Sequence, residues 1–385
     1  MPEAVIVSTA RTPIGRAGKG SFVDVRPDDL AAFAIRTAVG KVPGLDPAEI
    51  EDVLLGCGFP EEEQGMNMGR RVALLAGLPD TVPGTTVNRF CASSLTTIRM
   101  AFHAIKAGEG DVFVAAGVES ISRTPQLPRD IAAFHPGQGG ADFTQVYMPM
   151  GMTAENVAER YNVAREDMDR FATRSQERAV AAQERGFFDR EFTPYTKADG
   201  TVVAKDDGPR PGTTVEKLAQ LKPVFKPDGK VTAGNACPLN DGAAAVVVMS
   251  DTRAQQLGLT PLARIVASAV SGIDPEIMGV GPIEAIRKVL KAANMSVDDI
   301  DQFELNEAFA AQVIPVFREV GVDPFDERVN PNGGSIALGH PYGMTGARIM
   351  CTLLNGLTES GKRVGLETMC VGGGQGVAMI VERLS

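Results

Sequence analysis

Three reactive side chains stand in settings that a hydrophobic core does not by itself require. Cys91 lies in TVNRFCASSL, His340 in NGGSIALGHPYGMTGARIM and Cys370 in ETMCVGGGQG. An unpaired cysteine is most often a small buried hydrophobe. Cys91, however, falls between a β-favouring lead-in and a run that opens a helix, and Ser93 and Ser94 are expected to cap that helix. A thiol at a helix start meets exposed N–H groups and the positive end of the helix dipole, and both favour thiolate. Thiolate is the attacking form in thioester exchange, so the chemistry read first is nucleophilic acyl transfer.

His340 is one of only three histidines. It is either a loop histidine with an ordinary hydrogen bond or a base at a strand-to-helix junction, before a helix near Thr345. Gly339 and Gly343 beside it permit close backbone approach. His103 reads as a helix residue and His135 as part of a turn-rich loop. Cys370 follows a strand, and the glycines after it can present backbone N–H groups to an anion. GGGQG lacks the G-x-G-x-x-G spacing, so an oxyanion is expected there rather than a dinucleotide. Asn306 and Glu307 close a strand in ELNEAFAAQV. They read either as caps for the next helix or as polar groups lining a site at the strand ends. Asn306 brings an amide that can hold a water, and Glu307 is read as a support for neighbouring groups. Cys57 and Cys351 read as packing. The five cysteines include no C-x-x-C pair, so metal-site and disulfide-framework readings have no support.

The elements that must position these residues alternate between strand and helix. AVIVSTA, IEDVLLGCGF and DVFVAAGVES read as strands, with DDLAAFAIRTAVGKV and the stretch 97–107 as helices. Asp28 or Asp29 falls near the first helix start. The same grammar returns in ARIVASAVSGI, GPIEAIRKVLKAA, IDQFELNEAF, ARIMCTLLNGLTES and RVGLETMCVGG. Laying Ile50–Leu55 on Ile300–Leu305 sets Phe59 on Phe309, an offset of 250 residues, and brings His340 beside the Cys91 position. This is a duplicated α/β unit. If the halves pack about a pseudo-twofold axis, the two junctions face each other and a Cys–His constellation forms. The expected division is residues 1–120 as the first part of the N-terminal half, 121–242 as an inserted loop domain, 243–260 as a return strand, and 261–385 as the C-terminal half. Turn signals fill the insertion around a helical pair, and it is a candidate carrier of oligomer or ligand contacts.

Composition narrows the partners. The 385 residues carry 38 basic and 48 acidic side chains, a formal charge of -10, which disfavours nucleic-acid binding. No apolar run reaches membrane-spanning length, so membrane insertion is not expected. No basic stretch followed by an apolar targeting core opens the sequence, which predicts a cytoplasmic protein.

NRFCASS, ELNEAFAAQ, NGGSIALGHPYGMTGA and MCVGGGQG, in that order, resemble the thiolase family. STARTPIG and TAGNACPLNDGAAA extend the likeness over nearly the whole chain. The resemblance implies a five-layered α-β-α-β-α fold from two related halves with an inserted loop domain. It implies action on CoA thioesters, with CoA as co-substrate and no tightly bound cofactor. It assigns Cys91 as the acylated nucleophile, His340 as its activator and Cys370 as the proton carrier to the α-carbon. The N–H groups of Cys91 and Gly372 would form one oxyanion hole, and Asn306 with His340 the other. For CoA it points to Arg210, Phe225, Ala233 and Cys237, with Met150, Met278 and Phe309 as pocket walls or simple core. It also implies a homodimer or homotetramer, and a hydratase/dehydrogenase subunit is a candidate partner. Cys237 replaces the serine of many relatives. Tyr342, Met344 and Thr345 replace the commoner GHPIGASG pattern, and Ala92 departs from the usual Cys-Ser/Gly pair. The stretch DDGPRPGTTVEKLAQLKPVF resembles degradative members. The expected activity is therefore 3-ketoacyl-CoA thiolysis in fatty-acid degradation (β-oxidation), on medium, long or bulky acyl chains. Biosynthetic acetoacetyl-CoA formation is the alternative. A decarboxylating ketoacyl synthase and a non-catalytic CoA-thioester carrier are more distant readings.

Overall fold

The structure is a computed structural model that describes residues 2–124 and 143–385, so the reading of His135 falls outside the described residues. The chain opens with β1 (Ala4–Arg11), β2 (Gly15–Arg16), α1 (Pro27–Gly40), β3 (Asp52–Cys57), α2 (Met68–Leu75), β4 (Gly84–Val87), α3 (Ser93–Ala107) and β5 (Val112–Ser120). There follow α4 (Met150–Arg160), α5 (Arg165–Glu184), β6 (Tyr195–Thr196), β7 (Val202–Val203) and α6 (Val215–Ala219). The sheet resumes at β8 (Asn240–Ser250), then α7 (Asp251–Gln256) and β9 (Ala263–Gly272). The last part holds α8 (Pro282–Ala293), β10 (Gln302–Leu305), α9 (Ala310–Glu319), α10 (Ser335–Leu338), α11 (Thr345–Ser360), β11 (Val364–Val371) and β12 (Gln375–Arg383).

The main strands run in the order β10-β11-β12-β9-β1-β8-β5-β3-β4, with β2 beside β8. Only Val5↔Arg264 and Ile6↔Ala263 pair β1 with β9, so the sheet is two half-sheets joined by a short seam. Strand alternation sorts the side chains into layers. In β8, Ala243, Ala245, Val247 and Met249 pack toward α1 and α2, while Ala244, Val246 and Val248 pack toward α3 and α11. In β12, Val377, Met379 and Val381 join that same central core, while Ala378 and Ile380 pack toward α8 and α9. Outer helices, half-sheet, central helices, half-sheet and outer helices are the five layers. α8 shows the local cause: Pro282 fits its first turn, Ile283, Ile286, Val289 and Leu290 bury one stripe, and Asn294 ends it in the left-handed conformation.

The central layer brings the two junctions together. Ala347 N–H at the start of α11 donates to Ser94 Oγ at the start of α3, at 2.9 Å. A Cβ on Gly346 would lie 2.3 Å from the Leu95 nitrogen, and one on Gly117 would lie 2.1 Å from the Gly343 carbonyl oxygen. Only glycine lets the two helix N-termini meet this closely.

Candidate active site

Cys91 sits in a short 3-10 turn, Phe90–Ala92, immediately before α3. Phe90 takes φ +42, an uncommon backbone state for a bulky residue. The turn is held by local bonds: Phe90 N–H donates to Asn88 Oδ1 (2.8 Å), Ser93 O–H donates to the Phe90 carbonyl (2.7 Å), and Arg89 N–H donates to Ser93 Oγ (2.9 Å). The serines therefore do not cap α3 from outside. They lie within its first turn and Ala92 occupies the cap position. Ser93 braces the turn that carries Cys91, and Ser94 accepts from the facing helix.

The expected acidification of Cys91 does not hold in this buried site. Burial pushes its thiol well above the usual range, and the neighbouring Cys370 and Cys237 thiols push the same way. The backbone N–H groups of Gly372 and of Cys91 itself lie against the sulfur and oppose that shift. Desolvation outweighs the helix dipole once the sulfur leaves water.

His340 precedes the turn Tyr342–Met344 that leads into α11. Its backbone N–H donates to Asn240 Oδ1 (3.0 Å), whose amide in turn donates to Gly15 O (3.0 Å). Thr345 donates its single hydroxyl proton to Pro341 O, so its oxygen accepts from His340 Nδ1–H at 2.7 Å. That places the proton on Nδ1 and leaves the Nε2 lone pair toward Asn306 Nδ2, at 3.3 Å. Burial, reinforced by Arg348, lowers the imidazole to about 3, so the ring is neutral. Rings connect this junction to the other: His340 meets Tyr342 edge-on, Tyr342 meets Phe59, and Phe59 meets Phe90 beside Cys91.

Asn306 faces His340 and does not cap α9, whose cap position is Phe309. Its Oδ1 accepts from Ser335 O–H (2.6 Å), and Ser335 Oγ accepts from Arg348 Nη2 (2.9 Å), a chain that fixes which way the amide points. Glu307 accepts from Ser175 Oγ, Asn330 Nδ2 and Ile336 N–H, a scaffold role in agreement with its reading. Cys370 lies within β11, one residue before its end rather than after the strand, and Gly373 and Gly374, at φ +77 and +84, turn the chain into β12. A Cβ on Gly372 would meet the Phe90 ring at 3.4 Å and Met150 sulfur at 3.7 Å, which places both as walls beside that N–H.

Phe225 packs edge-on against Phe309 (6.3 Å between centroids), and Cys237 N–H donates to Ala308 O (2.9 Å). Met278 and Phe309 are buried core, and Met150 packs at the rim of the same core. Ala233 is exposed. Arg210 sits elsewhere on the inserted segment, in a surface hollow of about 340 Å³ beside Glu177, Ala181 and Glu184 of α5.

Several contributors escaped the sequence reading. Glu119 accepts from Gln64 Nε2 and from Gly58, Phe59 and Gly343 N–H, tying the two junction loops together. Gln312 donates to Cys370 Sγ at 2.8 Å. Gln312 and Arg348 were detectable as lone polar residues on otherwise apolar helix faces. Behind Asn306, Arg348 faces Glu304 and Glu367, and neither Glu367 oxygen has a partner among the described residues. Burial raises Glu304 to about 8 and also holds Glu367 well above the carboxylate range. A carboxyl raised on folding stabilises the native state below its unfolded pKa, and that contribution is lost as pH rises through the folded pKa. Glu367→Gln is therefore expected to raise Tm by a few degrees at pH 9 and much less at pH 5, measured by thermal melts at both. An equal effect at both pH values would contradict a neutral Glu367.

Two thiols, an imidazole and an amide thus lie at the junction of two related α/β halves, beside the β11–β12 hairpin. Residues 4–252 match the family model Thiolase, N-terminal domain, and residues 259–383 match Thiolase, C-terminal domain. The beta-ketoadipyl-CoA thiolase of Pseudomonas aeruginosa is 48% identical over 399 residues, covering 99% of each chain. The 3-ketoacyl-CoA thiolase of Bacillus subtilis is 45% identical over 395 residues, covering 99% of this chain and 100% of that one. The crystal structure of Bacillus anthracis acetyl-CoA acetyltransferase superposes with a TM-score of 0.91 at 42% identity, over 100% of this chain and 99% of that one. Human mitochondrial 3-ketoacyl-CoA thiolase, solved in complex with CoA, gives 0.91 at 38% identity, over 99% of this chain and 98% of that one. The chain belongs to the thiolase family. It is an acyltransferase of that family with CoA as a substrate. No helix among the described residues is long and apolar enough to cross a membrane.

Proposed function

We propose that the enzyme works degradatively, cleaving 3-ketoacyl-CoA with CoA into acetyl-CoA and a shortened acyl-CoA. The observation that carries this is the full-length likeness to enzymes named beta-ketoadipyl-CoA thiolase and 3-ketoacyl-CoA thiolase, on a site where the Cys91 sulfur meets the Gly372 N–H group and feels Cys370, with the His340–Asn306 pair on the joined junction. In the first half-reaction the Cys91 S–H proton passes to the unprotonated Nε2 of His340, displacing its contact with the Asn306 amide, while the sulfur bonds to the 3-keto carbon. The C2–C3 bond breaks and its electron pair leaves as the acetyl-CoA enolate. Cys370 gives its S–H proton to that carbon, forming the C–H bond and leaving a thiolate. Asn306, with a held water and His340, carries the negative charge on the thioester oxygen. The N–H groups of Cys91 and Gly372 carry the charge on the oxygen of the carbon attached to Cys91. The Cys370 thiolate then takes the S–H proton of a second CoA, whose sulfur displaces the acyl group from Cys91 as the shortened acyl-CoA, and the departing Cys91 sulfur takes back the proton held on His340.

Arg210, Phe225, Ala233 and Cys237 are the proposed CoA contacts, with Met150, Met278 and Phe309 as acyl-side walls. The relatives named for beta-ketoadipyl-CoA and 3-ketoacyl-CoA support an acyl group larger than acetoacetyl. The aromatic trio Phe59, Phe90 and Tyr342 supplies an apolar wall beside Cys91 and His340. Thiolysis rates across acetoacetyl-, straight-chain, dicarboxylic and ring-bearing 3-ketoacyl-CoA test this. Turnover peaking beyond acetoacetyl-CoA is expected. Turnover of acetoacetyl-CoA alone would instead establish the second reading, biosynthetic condensation of acetyl-CoA, favoured by the likeness to the Bacillus anthracis acetyl-CoA acetyltransferase.

The assembly proposed is a cytoplasmic homodimer or homotetramer. β4 is the last strand of the sheet, and Met66, Phe90 and Met100 are exposed near it, at 90%, 39% and 37%. A free strand edge with apolar flanks invites a second copy. Light scattering should give at least a dimer, and Met100→Glu should weaken it. A monomer at assay concentrations would contradict the proposal. A hydratase/dehydrogenase partner is retained as a proposal and is tested by co-elution with the purified subunit.

A further inference from the structure

The second thiol has a dedicated neighbour. Gln312 lies on the first turns of α9, fully buried, and its Nε2–H group donates to Cys370 Sγ at 2.8 Å. Its Oε1 has no partner among the described residues. The amide is hemmed in from the opposite side: a Cβ on Gly279 would lie 2.8 Å from Gln312 Cβ and 2.9 Å from Oε1. A buried amide that spends its donor on sulfur while leaving its acceptor unmatched is placed for the sulfur's charge. A neutral thiol already has weak hydrogen-bonding needs, whereas a thiolate in an apolar pocket requires a donor.

We propose that Gln312 is a further catalytic residue, whose Nε2–H group stabilises the thiolate that Cys370 becomes when it hands its proton to the departing enolate. This rests on the role of Cys370 given above. In the cleavage direction the S–H bond breaks, the C–H bond forms and the negative charge moves from the enolate to sulfur, where the amide meets it. In the reverse direction the same donor holds the thiolate that removes an α-proton. The direction agrees with the electrostatics: burial raises the Cys370 thiol to about 11, and the Gln312 hydrogen bond opposes that rise. The titratable groups that face this part of the chamber are the thiols of Cys91 and Cys237, with Glu307 behind Cys237. Gln312 itself does not titrate.

Gln312→Met keeps the length and volume of the side chain and removes the donor, and Gln312→Glu keeps the shape but adds a charge that repels thiolate. In a Cys91→Ala background, Cys370 alkylation by iodoacetamide, followed by mass spectrometry against pH, should shift to higher pH in both variants. The rate at fixed pH should fall by about tenfold or more, the expected loss of a hydrogen bond to a charged group. With Cys91 present, solvent-deuterium exchange into the acetyl-CoA methyl group should fall by a similar factor, while acyl transfer from acetyl-CoA to Cys91 changes by no more than about threefold. A folded Gln312→Met enzyme with an unchanged alkylation profile and unchanged exchange overturns the proposal. Equal loss of exchange and acyl transfer also overturns it, because that marks a merely structural residue. Cys370→Ala serves as the control: if it still exchanges, the proton-carrier role of Cys370 falls and takes the Gln312 role with it. If it loses exchange while Gln312→Met does not, only the Gln312 role falls.

Discussion

Cys91→Ala is expected to abolish covalent acyl capture and lower thiolysis by on the order of 10⁴-fold or more, the scale set by removing a nucleophile from a site that otherwise still binds. The loss should be kinetic rather than structural. Cys91 is small, Ala fits its volume, and the turn that carries it is held by Ser93 and Asn88 rather than by the sulfur. Thermal melts should therefore stay within a few degrees of the parent, while intact-mass spectra show no acyl adduct. Normal thiolysis by this variant would remove Cys91 from the mechanism.

Cys370→Ala separates the two chemistries. Acyl transfer from a simple acyl-CoA to Cys91 needs the Cys91–His340 pair and the Gly372 N–H, none of which this change deletes. Carbon–carbon cleavage additionally needs a proton delivered to the enolate carbon. Loss of a positioned proton donor costs on the order of 10²- to 10⁴-fold. The variant should therefore label at Cys91 with acetyl-CoA yet fail to cleave 3-ketoacyl-CoA at more than a residual rate. Equal rates of cleavage in parent and variant would contradict the role given to Cys370.

The fold was legible where the chain is periodic. The repeat that set Phe59 on Phe309 corresponds to β3 and β10 in equivalent places, and to α3 and α11 meeting at their N-termini. Cys91, His340, Asn306 and Cys370 drew attention because glycines and junctions surround them, and junction chemistry is written locally. Protonation was not legible. A helix start suggested thiolate, but desolvation is a tertiary quantity and reverses the sign at Cys91. Ser93 was misplaced by one position and Ser94 by two, because a 3-10 turn and a cap use the same residue types. Ser335 and Arg348 could not be found from spacing, since they reach Asn306 from 29 and 42 positions away through a chain of side chains. Glu119 likewise acts across the halves, from the end of β5 to Gly343.

The central claim is that a substrate-derived acyl group resides on one sulfur while the other moves the proton. Its most direct test is peptide mapping of enzyme quenched after mixing with a 3-ketoacyl-CoA in the absence of free CoA. The shortened acyl group should be found as a thioester on the Cys91 peptide, with Cys370 unmodified and acetyl-CoA released in equal amount. Acyl label on Cys370 or elsewhere, or cleavage with no enzyme-bound acyl group at any quench time, would contradict the account.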